Sequence, residues 1–161
     1  MKAFSTWQPH ASLLGAGLKP YETRSWPAHR NLIGKRVAIH AAKTDNDIRE
    51  LAAYYVAWNE DETFYDESYH VFLKAIVGLG FKTLRDLPRG TIIGTAILDA
   101  SIPTNTLIEP GPFGDFSPGR YAWRMRDPQL LPEPIPFVGK QGFFDVPDEL
   151  IANAFRMQRA A

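Results

Sequence analysis

The chain has 161 residues, 45% of them hydrophobic, enough to bury one core of ordinary domain size. Eighteen basic side chains balance eighteen acidic ones and there is no cysteine. Bulk charge therefore gives no case for gripping a long polyanion without regard to sequence, and disulfides, thiolate metal sites and thiol nucleophiles are excluded. The start, MKAFSTWQPH, lacks the apolar core of a signal peptide, and runs such as TIIGTAIL are too short to span a bilayer. The expectation is a soluble, cytoplasmic protein of one domain, residues 1–161, with no membrane partner.

In chain order, KAFST is a short strand, and Pro9 opens a helix through HASLLGAG that ends at Gly15 or Gly17. YETRSW reads as extended. In RVAIHAA, Val37, Ile39 and Ala41 alternate with Arg36, Ala38 and His40, the pattern of a half-buried strand, so His40 points to the other face. From Thr44 the period becomes helical, with a Thr, Asn or Asp cap and with Ile48, Leu51, Ala52, Tyr55 and Val56 on one face. A second helix covers SYHVFLKAIVGLG. GTIIGTAILDASI is strongly β, with Gly94 as a bulge or close approach. GRYAWRMRD and PFVGKQGFFDV are two further strands, separated by the turn-rich PQLLPEPI, and a helix over about 148–159 closes the chain. Strands gathered in the outer thirds around a helical segment of about 44–88 predict an α+β fold: a small, mostly antiparallel β-barrel carrying a helical insertion.

Charge is unevenly spread. Residues 1–43 hold seven basic side chains against Glu22 alone, a net of +6, residues 44–72 carry a net of −7, and +1 is left for the rest. Such a division suits a small or single-stranded anionic ligand beside a negative flank, or simply two differently solvated faces.

The stretch GLKPYETRSW is the densest chemical feature. On an extended segment Glu22 and Arg24 share one face while Thr23 takes the other, and Pro20 stiffens the bend that brings Lys19 to the same side. A carboxylate between two cations stays ionised and leaves Lys19 and Arg24 aimed outward at an anion or at base-edge acceptors. The alternative is an internal salt bridge that pins the first turn of the barrel. Trp7 and Trp26 flank the motif as stacking platforms or as core, and Gln8 offers an amide for a base edge or a turn cap. His40 is a candidate for ligand bonding or proton transfer. Tyr121 and Trp123 face together on YAWRM, where core packing competes with ligand stacking. Arg120, after EPGPFGDFSPG, and Lys140, in GKQG, are candidate phosphate contacts or plain surface charge. His10, His29, His40 and His70 show no metal-ligand spacing, and no cofactor is called for.

The order QPHASLLGAG, GLKPYETRSW, RVAIHAA, GTIIGTAIL, then YAWRM and LPEPIPFVGKQGFFDVP resembles the activating signal cointegrator homology (ASCH) family. The signature Gly-x-Lys-x-x-Glu-x-Arg of that family is met by Gly17, Lys19, Glu22 and Arg24. The resemblance runs from Trp7 to Pro147 and leaves the helical insertion and the C-terminal tail outside it. It implies a PUA-like β-barrel with a cleft and an association with RNA or modified nucleosides, known in coactivators, ribonuclease-like members and N4-acetylcytidine amidohydrolases. In the amidohydrolase branch a nucleophilic Thr stands three residues after the Lys, where this chain has Glu22, and Thr23 faces away. Three readings stay open. One is a module that binds single-stranded RNA or a modified nucleoside around Lys19, Glu22 and Arg24. A second is a hydrolase in which Glu22 activates water while Lys19 stabilises an oxyanion, or in which Lys19 acts with His40 or Tyr121. The third is a protein-interaction module that uses the acidic insertion.

Overall fold

The computed structural model describes residues 1–159. Six strands, β1 (Lys2–Thr6), β2 (Tyr21–Arg24), β3 (Lys35–Ala41), β4 (Thr91–Pro103), β5 (Tyr121–Pro136) and β6 (Phe143–Asp145), form one mixed sheet in the order β2-β5-β4-β3-β1-β6. All neighbours are antiparallel except β1 and β3, which run parallel with Ala3 opposite Ala38 and Thr6 opposite Ala41. The sheet curls into a half-barrel, an α+β fold open between the edge strands β2 and β6.

Curling is built into the two longest strands. Their register slips at Ile92/Gly94, Thr95/Ile97 and Leu98/Ala100, and each slip bends the pair. Gly94 is the close approach that its sequence context predicts, because a Cβ there would lie 2.6 Å from the Gln129 carbonyl oxygen. The expectation of two strands separated by PQLLPEPI is corrected: β5 runs unbroken through that segment to Pro136, and of the rest of the second predicted strand only Phe143–Asp145 is β. The reason lies with the neighbour. β2 pairs with Tyr121–Arg124 alone, so the later prolines of β5 sit on a free edge where a missing N–H breaks no ladder bond.

Alternation then sorts side chains to two faces, both covered. Phe4, Val37, Ile39, Ala96, Leu98 and Trp123 pack on one face beneath α1 (His10–Gly15), which contributes Ala11 and Leu14. Ala3, Ala38, Ile92, Leu131 and Phe144 pack on the other, against Ile151 of α4 (Asp148–Arg159). β3 is thus buried on both faces rather than half-buried, and His40 does lie on the second face, edge-on to Phe144.

The insertion forms α2 (Asn46–Glu60) and α3 (Glu67–Gly78) around a separate small core of Ile48, Leu51, Ile76 and Leu87. Its buried row is Ile48, Leu51 and Tyr54, not the predicted face, since Tyr55 and Val56 are exposed. Tyr54 decides the rotation by stacking on Tyr69 at 4.7 Å and pairing its hydroxyl with His70 Nδ1 at 2.7 Å. Asp45 stands at the N-cap without a side-chain cap bond and pairs with Arg49 and Arg89 instead. Trp58 is half-buried and packs edge-on to His70. No helix among the described residues is long and apolar enough to cross a membrane.

Candidate functional site

β2 is short, and its pairing with β5 sets Glu22 opposite Trp123 and Arg24 opposite Tyr121. The turn before it is fixed by Leu18 and Lys19 N–H groups that both donate to the Leu13 carbonyl at the end of α1. This arrangement drives Lys19 inward. Its Nζ donates to Glu22 Oε2 at 2.6 Å, and Arg24 Nη2 lies 2.8 Å from Glu22 Oε1. Lys19 and Glu22 are only 2% and 4% exposed, so the expectation that Lys19 aims outward is corrected: its ammonium is spent on Glu22. Burial pushes the Glu22 carboxyl up, but Lys19 and Arg24 outweigh it, and the group is held below the usual carboxylate range. Arg24 also donates to the Ser5 carbonyl, and its guanidinium lies over the rings of Trp26 and Trp123 at 5.6 and 5.7 Å. Its Nε is buried without a partner.

Above this triad opens a cleft of about 630 Å³. Of the residues singled out in the sequence, Lys19, Glu22, Arg24, Trp7, Trp26 and Arg120 line it. The Trp7 and Trp26 rings form its lip, 45% and 41% exposed, free enough to offer a face while still anchored. Arg120 pairs with Asp115 at 3.2 Å and bonds the Thr23 carbonyl, folding the 111–120 loop over β2. Thr23 was expected to face away, yet it reaches the lining, because β2 is an edge strand and the cleft runs around that edge. Its Oγ1 accepts the Asp115 N–H.

The remaining candidates lie elsewhere. Gln8 is fully buried, donating to the Pro88 carbonyl and accepting from the Ser12 N–H. It ties α1 to the end of the insertion, so its amide is a structural clamp. Tyr121 packs against the first core cluster outside the cleft, and Trp123 is core. His40 is 2% exposed, with Nδ1 2.9 Å from Ser5 Oγ and Nε2 3.0 Å from the Phe137 carbonyl. Burial pulls its pKa down while the carbonyl bond pulls it up. It borders a second, larger cleft.

Sequence reasoning missed His10, Asp47 and Phe72. His10, at the start of α1, lines the first cleft with Asp47 of α2 and Ser68 and Phe72 of α3. His10 Nε2 lies 3.7 Å from Asp47 Oδ2, its ring meets Phe72 edge-on at 5.2 Å, and its Nδ1 is buried without a partner. Burial lowers its pKa to about 4, the Lys19 ammonium adds to that, and Glu22 opposes it, so the ring is neutral at pH 7. Burial also raises Asp47, with Glu50 adding to it. The insertion that lies outside the motif blocks therefore supplies one wall. The available signal was the adjacency of His10 to Trp7 and Gln8, with nothing in the sequence to link it to Asp47 or Phe72.

No family model matches the sequence, and no curated relative does. Solved structures do match. The chain is similar to an ASCH protein from Zymomonas mobilis, at 16% identity and a TM-score of 0.51 over 97% of this chain and 93% of that one. A serine-to-alanine mutant of the same protein matches at 17% identity and a TM-score of 0.55, over 97% and 94% of the two chains. A tyrosine-to-phenylalanine mutant matches at 15% and 0.52, over 99% and 96%. The matches run nearly end to end, and this chain has the fold of an ASCH domain.

Proposed function

We propose that the first cleft binds a nucleobase of single-stranded RNA, or a modified nucleoside, without turnover. One observation carries the reading: two exposed tryptophans line a nucleotide-sized cleft whose floor is the Lys19–Glu22–Arg24 triad, in which the Lys19–Glu22 pair is buried and Arg24 carries the remaining positive charge. Three cations (Lys19, Arg24, Arg120) face three carboxylates (Glu22, Asp47, Asp115) across this lining. Balanced charge favours a neutral, flat, polar group over a bare phosphate. Stacking on each Trp is worth about 1–3 kcal/mol per base.

Binding is favoured over hydrolysis because a carboxylate held low by two cations is a weak base. Position 22 also carries no hydroxyl, and Thr23 Oγ1 is already engaged by Asp115. The test is a titration of tryptophan fluorescence with nucleosides, N4-acetylcytidine among them, and short single-stranded RNAs, followed by separation of bound, unchanged and cleaved species. Saturable quenching with intact ligand is expected, lost in part in Trp7→Ala and in Trp26→Ala. Efficient deacetylation abolished by Glu22→Ala would replace this reading with an amidohydrolase.

A further inference from the structure

Beside the first cleft lies a second of about 1020 Å³, and Ser5 of β1 lines both. Among the described residues Ser5 is the one that borders both. The Ser5 carbonyl accepts from Arg24 on the side of the first cleft, and the Ser5 hydroxyl meets His40 on the side of the second. The parallel pairing of β1 with β3 places their carboxyl ends, Thr6 and Ala41, side by side, so Trp7 and Lys43 leave the sheet at the same end.

Charge divides between the two. The first cleft is balanced, as above. The second is lined by Lys43, Arg89 and Lys140 against Asp145 alone. Asp145 is already held by Lys2 at 2.9 Å, and Arg89 by Asp45 at 3.3 Å. Among the described residues Lys43 and Lys140 make no ion pair, so two ammonium groups without a direct partner border the opening, Lys140 within the field of Asp145. His40, buried and turned between Ser5 and Phe137, adds no charge at neutral pH. The loop that carries Lys140 is seated by Gly139, where a Cβ would lie 2.4 Å from His40 Cε1 and 2.7 Å from Ser5 Oγ. Only glycine lets this backbone close on the Ser5–His40 pair, which fixes where Lys140 stands.

We infer that the two clefts are one track for a single-stranded oligonucleotide: the base rests in the first, and the adjoining phosphates pass Ser5 into the second, against Lys43 and Lys140. The inference rests on the base-binding reading above and deepens it, since it makes an oligonucleotide and not a free nucleoside the full ligand. A neutral pocket that selects a base and a cationic channel that holds the backbone is the division of labour that single-strand binding calls for.

The test uses the whole chain, a free nucleoside followed by tryptophan quenching, and an end-labelled hexaribonucleotide followed by anisotropy at several salt concentrations. The variant is Lys43→Ala with Lys140→Ala. Lys35→Ala with Lys74→Ala, on exposed residues that line neither cleft, removes the same charge as a control. Nucleoside binding should be unchanged in both variants. Hexamer affinity should fall several-fold at low salt in the first variant only, with the slope of log affinity against log salt reduced by about 1.4, or about 0.7 for each of two phosphates. An unchanged slope, or an equal loss in the control, overturns the track and leaves base binding standing. A hexamer that loses affinity as expected while no nucleoside quenches tryptophan overturns the base-binding reading and, with it, the shared track. Failure of the unaltered chain to bind either ligand overturns both.

Discussion

The sheet body and the helical insertion are built on different terms. The body buries two layers of side chains against a six-stranded sheet, with Trp123, Phe4, Leu98 and Ile92 fully enclosed. The insertion has a private core of Ile48, Leu51, Ile76 and Leu87. It meets the body through a narrow joint: His10 against Phe72 and Asp47, Phe72 against Phe113 at 5.0 Å, and Gln8 bonded to Pro88. That joint is also a wall of the first cleft. The cleft therefore has a floor set by the sheet and a wall that rests on a small core of its own, the arrangement in which local opening of one wall costs less than global unfolding.

The sharpest way to break this contrast is Glu22→Ala. Glu22 belongs to the floor, and removing it strands Lys19 at 2% exposure without its partner. A loss of about 3–5 kcal/mol in global stability is expected, the range for breaking a buried pair. Denaturant unfolding measures it, and an unaltered midpoint would mean that the triad is open to water. Leu51→Ala should show the opposite distribution. Leu51 is 3% exposed within the insertion core, and its truncation should cost about 2–5 kcal/mol there. Hydrogen exchange should rise through α2 and α3 while β3, β4 and β5 keep their protection. Uniform loss of protection in both regions would show that the insertion is fused to the body and is not a separate unit.

The same contrast explains what could be read from the residues alone. Period-two alternation in β3 and the lone Gly94 mark the sheet because each feature is local to one strand. β5 is not legible in this way, because a proline-rich segment looks like a turn until its neighbour is known, and the free edge beyond Arg124 is a property of two strands together. In α2 the apolar residues offered two overlapping faces, and the choice fell to Tyr54 through its contacts with Tyr69 and His70, which lie on another helix. The site divides in the same way. Lys19, Glu22 and Arg24 converge within six residues and are legible. Gln8 looked like a base reader, and its partners at Ser12 and Pro88 make it a clamp. His10, Asp47 and Phe72 come from three elements, and only the fold brings them together.

The smallest of the expected effects tests the joint itself. His10 is neutral in the folded chain, with its pKa lowered from 6.5 to about 4 chiefly by burial and next by Lys19. Below pH 6.5 the unfolded chain binds a proton that the folded chain refuses, so stability falls as pH drops from about 6.5 towards 4 and this contribution is flat below that. The groups facing the ring separate in pH. Glu22 is held below its ordinary 4.5, so its own loss begins only in stronger acid, and Asp47 is raised, so its protonation works in the opposite direction. Between pH 7 and pH 5 the acid sensitivity therefore belongs to His10 together with His40, whose pKa burial also lowers, and the share of His10 is about 1–3 kcal/mol across its whole window, at roughly 1.4 kcal/mol per pH unit. His10→Gln keeps a polar side chain without a titrating ring. Its stability, measured by denaturant titration at pH 7 and pH 5, should change less with pH than that of the unaltered chain. Hydrogen exchange at pH 5 should rise first at α3, where Phe72 meets the ring. If the two chains lose stability in parallel, His10 is solvated, and the joint between body and insertion is looser than its contacts with Asp47 and Phe72 imply.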